Sequence, residues 1–164
     1  MKSHVTEVEL KLRDQNLISL DSAKQEILAS SSGFYWIYTK LNINDFLLSP
    51  KPKNPVHVDF SNISSVHQDL KHIIHKGEDE YWCVYNGKGK QLKNRVVAEF
   101  SNTGGKTGTL ALSRCFKEDD FKLKYIICNA PESPKGISIA YESLQRDLER
   151  AWRLNNGWPL LSRA

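Results

Sequence analysis

The run Phe34-Tyr35-Trp36-Ile37-Tyr38-Thr39 is aromatic or β-branched at every position, the composition of a strand buried on both faces. Tyr81-Trp82-Cys83-Val84-Tyr85 reads as a second strand ending at Asn86-Gly87, and Phe121 to Cys128 alternates before becoming wholly apolar, as a strand does. Around these runs the apolar spacing is helical: over 4–13, 21–30, 63–76 (Val66, Leu70, Ile73 and Ile74 forming its stripe), 90–101 and 138–153. Asn42 to Leu48 allows one more helical turn, and the prolines Pro50, Pro52 and Pro55 make the stretch after it an extended loop. Helices, strand, helix, strand, helix, strand, helix is the order of an α+β domain with a small central sheet.

Nothing else in the composition disturbs that expectation. The chain has 164 residues, the size of one domain, and 40% hydrophobic against 26% charged residues excludes a disordered chain. The formal charge of +4 is compatible with a polyanionic partner without naming one. Cys83, Cys115 and Cys128 form no C-x-x-C pair, so they predict free thiols rather than zinc or redox chemistry. His67, His72 and His75 do not converge on one helix flank, which favours a polar face over a metal site. Asn102 to Gly108 contains Gly-Lys-Thr, but Phe100 stands where a phosphate loop needs its first glycine, so nucleotide binding of that kind is excluded. No apolar run approaches the roughly 18 residues of a membrane span and no apolar leader opens the chain, so a cytoplasmic protein is expected.

Two of the strands carry tyrosine beside glycine, as Gly33-Phe34-Tyr35 and Tyr85-Asn86-Gly87. Lys88 follows three positions after Tyr85 and Arg95 ten positions after it, and Glu142 stands early in the last helical stretch, which ends near Asn155 and Asn156. This ordered set resembles the GIY-YIG nuclease family over about residues 33–156. The resemblance implies a single domain over 1–164, with a small central antiparallel sheet of three core strands flanked by helices. Residues 1–32 would be an N-terminal helical extension and 41–80 an insertion between the two tyrosine strands. It implies a metal-dependent DNA endonuclease closest in style to the restriction enzymes of that family. Its substrate would be double-stranded DNA, its cofactor Mg²⁺ with Mn²⁺ as substitute, and a homodimer one expected state.

On that resemblance Tyr35, Tyr85, Lys88, Arg95, Glu142 and Asn155 are the catalytic set, with Glu142 the metal ligand and Lys90, Lys93 and Lys106 gripping phosphates. The residue types suit the chemistry. A carboxylate can hold Mg²⁺ through one oxygen while the ion keeps several waters. An arginine offers a planar donor fork to a phosphate as its charge builds. A tyrosine serves as base only where cations favour its phenolate, and either Tyr35 or Tyr85 could fill that role. Ordinary readings stand beside these: packed strand tyrosines, an Arg95–Glu142 structural ion pair and a solvated Lys88. Glu99 departs from the family, which often has His or Tyr there; it could add a ligand or a base. The rival function is a non-catalytic nucleic-acid-binding protein that keeps the fold.

Overall fold

The computed structural model describes residues 2–101 and 109–163. Its centre is a three-stranded antiparallel sheet of order β2-β1-β3, with β1 Gly33–Thr39, β2 Trp82–Gly89 and β3 Phe121–Ile127. The fold is therefore α+β, with helices on both faces of the sheet. α1 (Lys2–Arg13) and α6 (Tyr141–Asn156) cover one face, closing a core of Val8, Phe34, Trp36, Ile126, Leu148 and Trp152. α2 (Leu20–Glu26) and α5 (Leu92–Glu99) cover the other, over Tyr35, Ile37, Val84, Leu92, Val96 and Leu123. This double cover explains why β1 is apolar at nearly every position: neither face meets water. The N-terminal helices belong to these two layers, with Val5, Val8 and Leu12 in one core and Leu20, Ala23 and Ile27 in the other.

Between the tyrosine strands the chain forms α3 (Ile43–Leu47) and α4 (Phe60–His67), which pack on each other beside the sheet. Their aromatic rings meet a second excursion ahead of β3, where Phe116 lies 5.0 Å from Phe46 and 5.2 Å from Phe60 between ring centres. The two long connections thus bury one another.

The helix expected over 63–76 ends at His67 instead. His72 has a positive φ of 85°, and the chain there pairs with the tail: Trp158 donates to His72 O at 2.7 Å and Ile74 to Trp158 O at 2.9 Å. Hydrogen bonds to a distant strand-like segment outcompeted helical propensity, leaving Val66 and Leu70 exposed and Ile73 buried. The second strand also runs past its expected end, since Asn86 and Gly87 pair with Trp36 and Tyr35 rather than turning. Cys83, Cys115 and Cys128 are free thiols. Among the described residues no helix is long and apolar enough to cross a membrane.

Candidate functional site

Antiparallel pairing sets Tyr35 opposite Gly87 and Ile37 opposite Tyr85, but Tyr38 opposite Cys83, so Val84 is an extra residue in β2. Such a bulge breaks the alternation of faces. Val84 and Tyr85 both pack into the α5-side core while Cys83 packs into the other, and Tyr85 thereby shares a face with Tyr35. Their ring centres are 6.1 Å apart. A Cβ on Gly87 would lie 2.4 Å from the Tyr35 hydroxyl, so only glycine lets that side chain cross β2 to reach α5.

There the fully buried Tyr35 donates to Glu99 Oε1 at 2.5 Å. Glu99, also at 0% exposure, accepts a second bond from the Leu110 N–H at 2.6 Å and pairs with Arg95 one turn earlier on α5 at 3.4 Å. A Cβ on Gly89 would come within 2.8 Å of Arg95 Cβ, which is how closely β2 turns into this helix. Burial pushes the Glu99 carboxyl above its ordinary range, against the Leu110 and Tyr35 hydrogen bonds and the Arg95 charge that favour ionisation. The Tyr35 phenol is raised well above 10 by burial and by the Glu99 charge. Tyr85 is pushed up to about 12 by burial and Glu99, with Arg95 pulling the other way. Half-burial alone would weaken the hold of Arg95 on its proton; the charge available at Tyr35 and Glu99 outweighs it.

Tyr85, Lys88, Lys90 and Arg95 line an open cleft of about 470 Å³, completed from α6 by Tyr141 and Glu149. Glu149 is the carboxylate here: its Oε2 lies 3.4 Å from Lys88 Nζ, and its Oε1 accepts from Arg153 Nη2. Arg153 is buried and spends its remaining donors on β2 and the tail, with Nε 2.8 Å from Asn86 Oδ1, Nη2 3.3 Å from Asn86 O and Nη1 3.1 Å from Arg163 O. Ser162 joins the same knot, its hydroxyl 3.3 Å from Asn86 Oδ1. The middle residue of Tyr-Asn-Gly thus clamps α6 and the tail to the sheet, on the face opposite Tyr35.

Two of the expected residues fall outside the cluster. Glu142 is exposed in the first turn of α6, beside Tyr141 and Cys128, and does not line the cleft. Asn155 is exposed at the other end of the helix, where it and Asn156 donate to Glu9 of α1 at 3.3 and 2.7 Å. Tyr141 at the start of α6 reaches the cleft, while its neighbour Glu142, about 100° further round the helix, is exposed. Lys90 is exposed at the cleft rim, and a groove of about 410 Å³ continues from it along Gln91, Asn94, Arg95 and Ala98. Lys93 is half-buried on α5, outside that groove, and Lys106 lies outside the described residues. Sequence reading missed Glu149, Arg153, Asn86 and Ser162; the one available signal was the spacing of Glu149 and Arg153, four apart on a helix.

Glu149 is the carboxylate facing the cleft, and with Oε1 held by Arg153 a divalent ion would take Oε2 in place of the looser Lys88 contact, water completing its shell. The donor set does not fit an all-protein cage, since among the described residues no three or more His, Cys, Asp or Glu come together. Comparison of the chain with protein-family models, curated proteins and solved structures finds no match.

Proposed function

We propose that this protein is a metal-dependent endonuclease of restriction type that hydrolyses double-stranded DNA at the cleft between β2, α5 and α6. The observation that carries this reading is the convergence in one open cleft of a carboxylate, an arginine, a lysine and a tyrosine, the four kinds of group that phosphodiester hydrolysis calls for. The family resemblance of Tyr35, Tyr85, Lys88 and Arg95 supports it, and so does the α+β architecture. Glu149 takes the part first expected of Glu142.

Glu149 would hold Mg²⁺ or Mn²⁺, which when bound supplies charge neutralisation to the phosphate and its leaving oxygen. Arg95 presents its fork to a non-bridging phosphate oxygen, anchored from behind by Glu99. Lys88 and Lys90 attract the flanking phosphates, and the groove beyond Lys90 gives the backbone a track along α5. Tyr85 is the tyrosine at the cleft wall, so it is the one that orients the attacking water. Its pKa of about 12 keeps it protonated at neutral pH. Protonated, its hydroxyl oxygen accepts a hydrogen bond from that water, whose proton passes to a non-bridging phosphate oxygen as the new P–O bond forms, with Arg95 steadying the phosphate's charge. Tyr35 is sealed beneath Gly87 and already donates to Glu99, which fits a supporting role.

Cleavage of mixed-sequence plasmid DNA with Mg²⁺ tests the reading. Wild type and Glu142→Ala should cut, while Glu149→Ala and Arg95→Ala should each lose at least about 10²-fold in rate with folding intact. Duplex binding without cutting by the wild type, in Mg²⁺ and in Mn²⁺, would leave a nucleic-acid-binding protein.

A further inference from the structure

Glu99 is the one carboxylate of the cluster that solvent cannot reach, and the mechanism above uses it only as the anchor of Arg95. A buried carboxylate is costly unless every lone pair is used. Here each oxygen is used: Oε1 takes the Tyr35 hydroxyl at 2.5 Å and stands 3.4 Å from Arg95 Nε, and Oε2 takes the Leu110 N–H at 2.6 Å. These contacts come from β1, α5 and the segment after 108, so three separate parts of the chain meet at one charge. The groups of titratable or charged character that act on it are Tyr35 from β1, Tyr85 from β2 and Arg95 from its own helix.

We propose that Glu99 is a positioning residue whose carboxylate must be ionised for the cleft to bind and turn over a phosphodiester. As an anion it fixes Arg95 at the cleft and holds Tyr35 as a donor, leaving Tyr85 alone to meet the water. This rests on the nuclease reading for its turnover but not for its phosphate grip. When Glu99 takes up a proton it no longer balances the Arg95 charge, and the guanidinium, left to the Tyr35 and Tyr85 hydroxyls, loses the anchor that sets its fork toward the phosphate. Both rate and duplex affinity then fall on the acid side. Because burial raises the Glu99 pKa, that limb lies above the pH at which an ordinary carboxylate titrates.

The linkage has a definite sign. A carboxyl whose folded pKa is raised stabilises the fold below its unfolded pKa, and that contribution is lost as pH rises through the folded value. Glu99→Gln should therefore be as stable as wild type or more so at neutral pH. The oxygen of the new side-chain amide can keep the Leu110 bond while its nitrogen donates to Tyr35 Oη. A residue kept only for structure would give the opposite result.

The experiment measures cleavage rate in Mg²⁺, and duplex affinity in Ca²⁺, between pH 5 and pH 9. Wild type is compared with Glu99→Gln, Tyr35→Phe, Arg95→Ala and the double variant Arg95→Ala/Glu99→Gln. Glu99→Gln should lose about 10²-fold in kcat and bind the duplex more weakly than wild type, and its acid limb should vanish from both profiles. Tyr35→Phe removes a hydrogen bond that favours the anion, so its limb should move to higher pH while Glu99 is still present. The double variant should be no worse than Arg95→Ala, because Glu99 acts through that residue. A limb unchanged in Glu99→Gln and Tyr35→Phe, or losses that add fully in the double variant, would overturn the proposal. A wild type that binds duplex without cutting sinks the nuclease reading alone, since the affinity profile still reads Glu99. One that neither binds nor cuts sinks both.

Discussion

Tyr35 and Tyr85 lie 6.1 Å apart, ring centre to ring centre, yet only Tyr85 lines the cleft. The difference comes from two small features of β2. The bulge at Val84 turns Tyr85 toward α5, and the missing Cβ of Gly87 lets the Tyr35 hydroxyl pass beneath the strand to Glu99. Tyr85→Phe keeps the ring and its packing and removes only the hydroxyl that would orient water. We expect a fall in kcat of about 10²-fold or more, with Tm little changed and duplex affinity retained. Kinetics and thermal unfolding on the same preparation check this, and a variant as fast as wild type would remove Tyr85 from the mechanism. The sequence could name both tyrosines but could not rank them, because a bulge is decided by what packs on each face and leaves no mark in the residue types.

Along α6 the same limit appears in another form. Glu142 and Glu149 are seven residues apart, close to two helical turns, so they share a face and stand about 10 Å apart along the axis. Periodicity cannot choose between them. What chooses is how α6 is seated on the sheet, held by Leu144, Leu148 and Trp152 in the core and by the Arg153 knot on Asn86. The three strands and the terminal helices were legible because double-sided burial writes continuous apolar runs and an apolar stripe into the sequence. The end of α4 at His67 was not, since it depends on Trp158, more than eighty positions away. Nor was the clamp, whose polar members Asn86, Arg153 and Ser162 look like surface residues until they are seen buried together. Arg153→Ala should cost about 3 kcal/mol, because it removes the buried cation that joins Glu149, Asn86 and the tail and leaves Glu149 only Lys88 and the Asn86 side chain only Ser162. Chemical denaturation measures the loss; a cost below about 0.5 kcal/mol, that of an ordinary surface substitution, would mean that the knot is incidental.

For the molecule as a whole, the modest charge of +4 says little about how strongly any one face attracts phosphate. What counts is that Lys88, Lys90 and Arg95 line one cleft, with Lys93 on the same helix as Arg95. If these cations meet phosphates, the logarithm of affinity should fall against the logarithm of salt with a slope of about −3. Lys90→Ala should make that slope shallower by about 1. Titration of a labelled duplex between 50 and 200 mM salt, about the range over which such contacts declare themselves, gives the answer; a flat profile would speak against a phosphate-gripping cleft. The sheet order has a further consequence, in time rather than space. β1 is the middle strand, yet even its nearest partners in β3, Thr39 and Phe121, are 82 residues apart along the chain. Loops of that length close slowly. The carboxylate arrives later still, on α6, and the knot that seats it waits for Ser162. During the roughly 10–30 s in which a ribosome makes such a chain, the growing polypeptide holds the tyrosines and the arginine but nothing to complete them. If the cleft is the nuclease site proposed above, it stays incomplete until synthesis has passed Ser162.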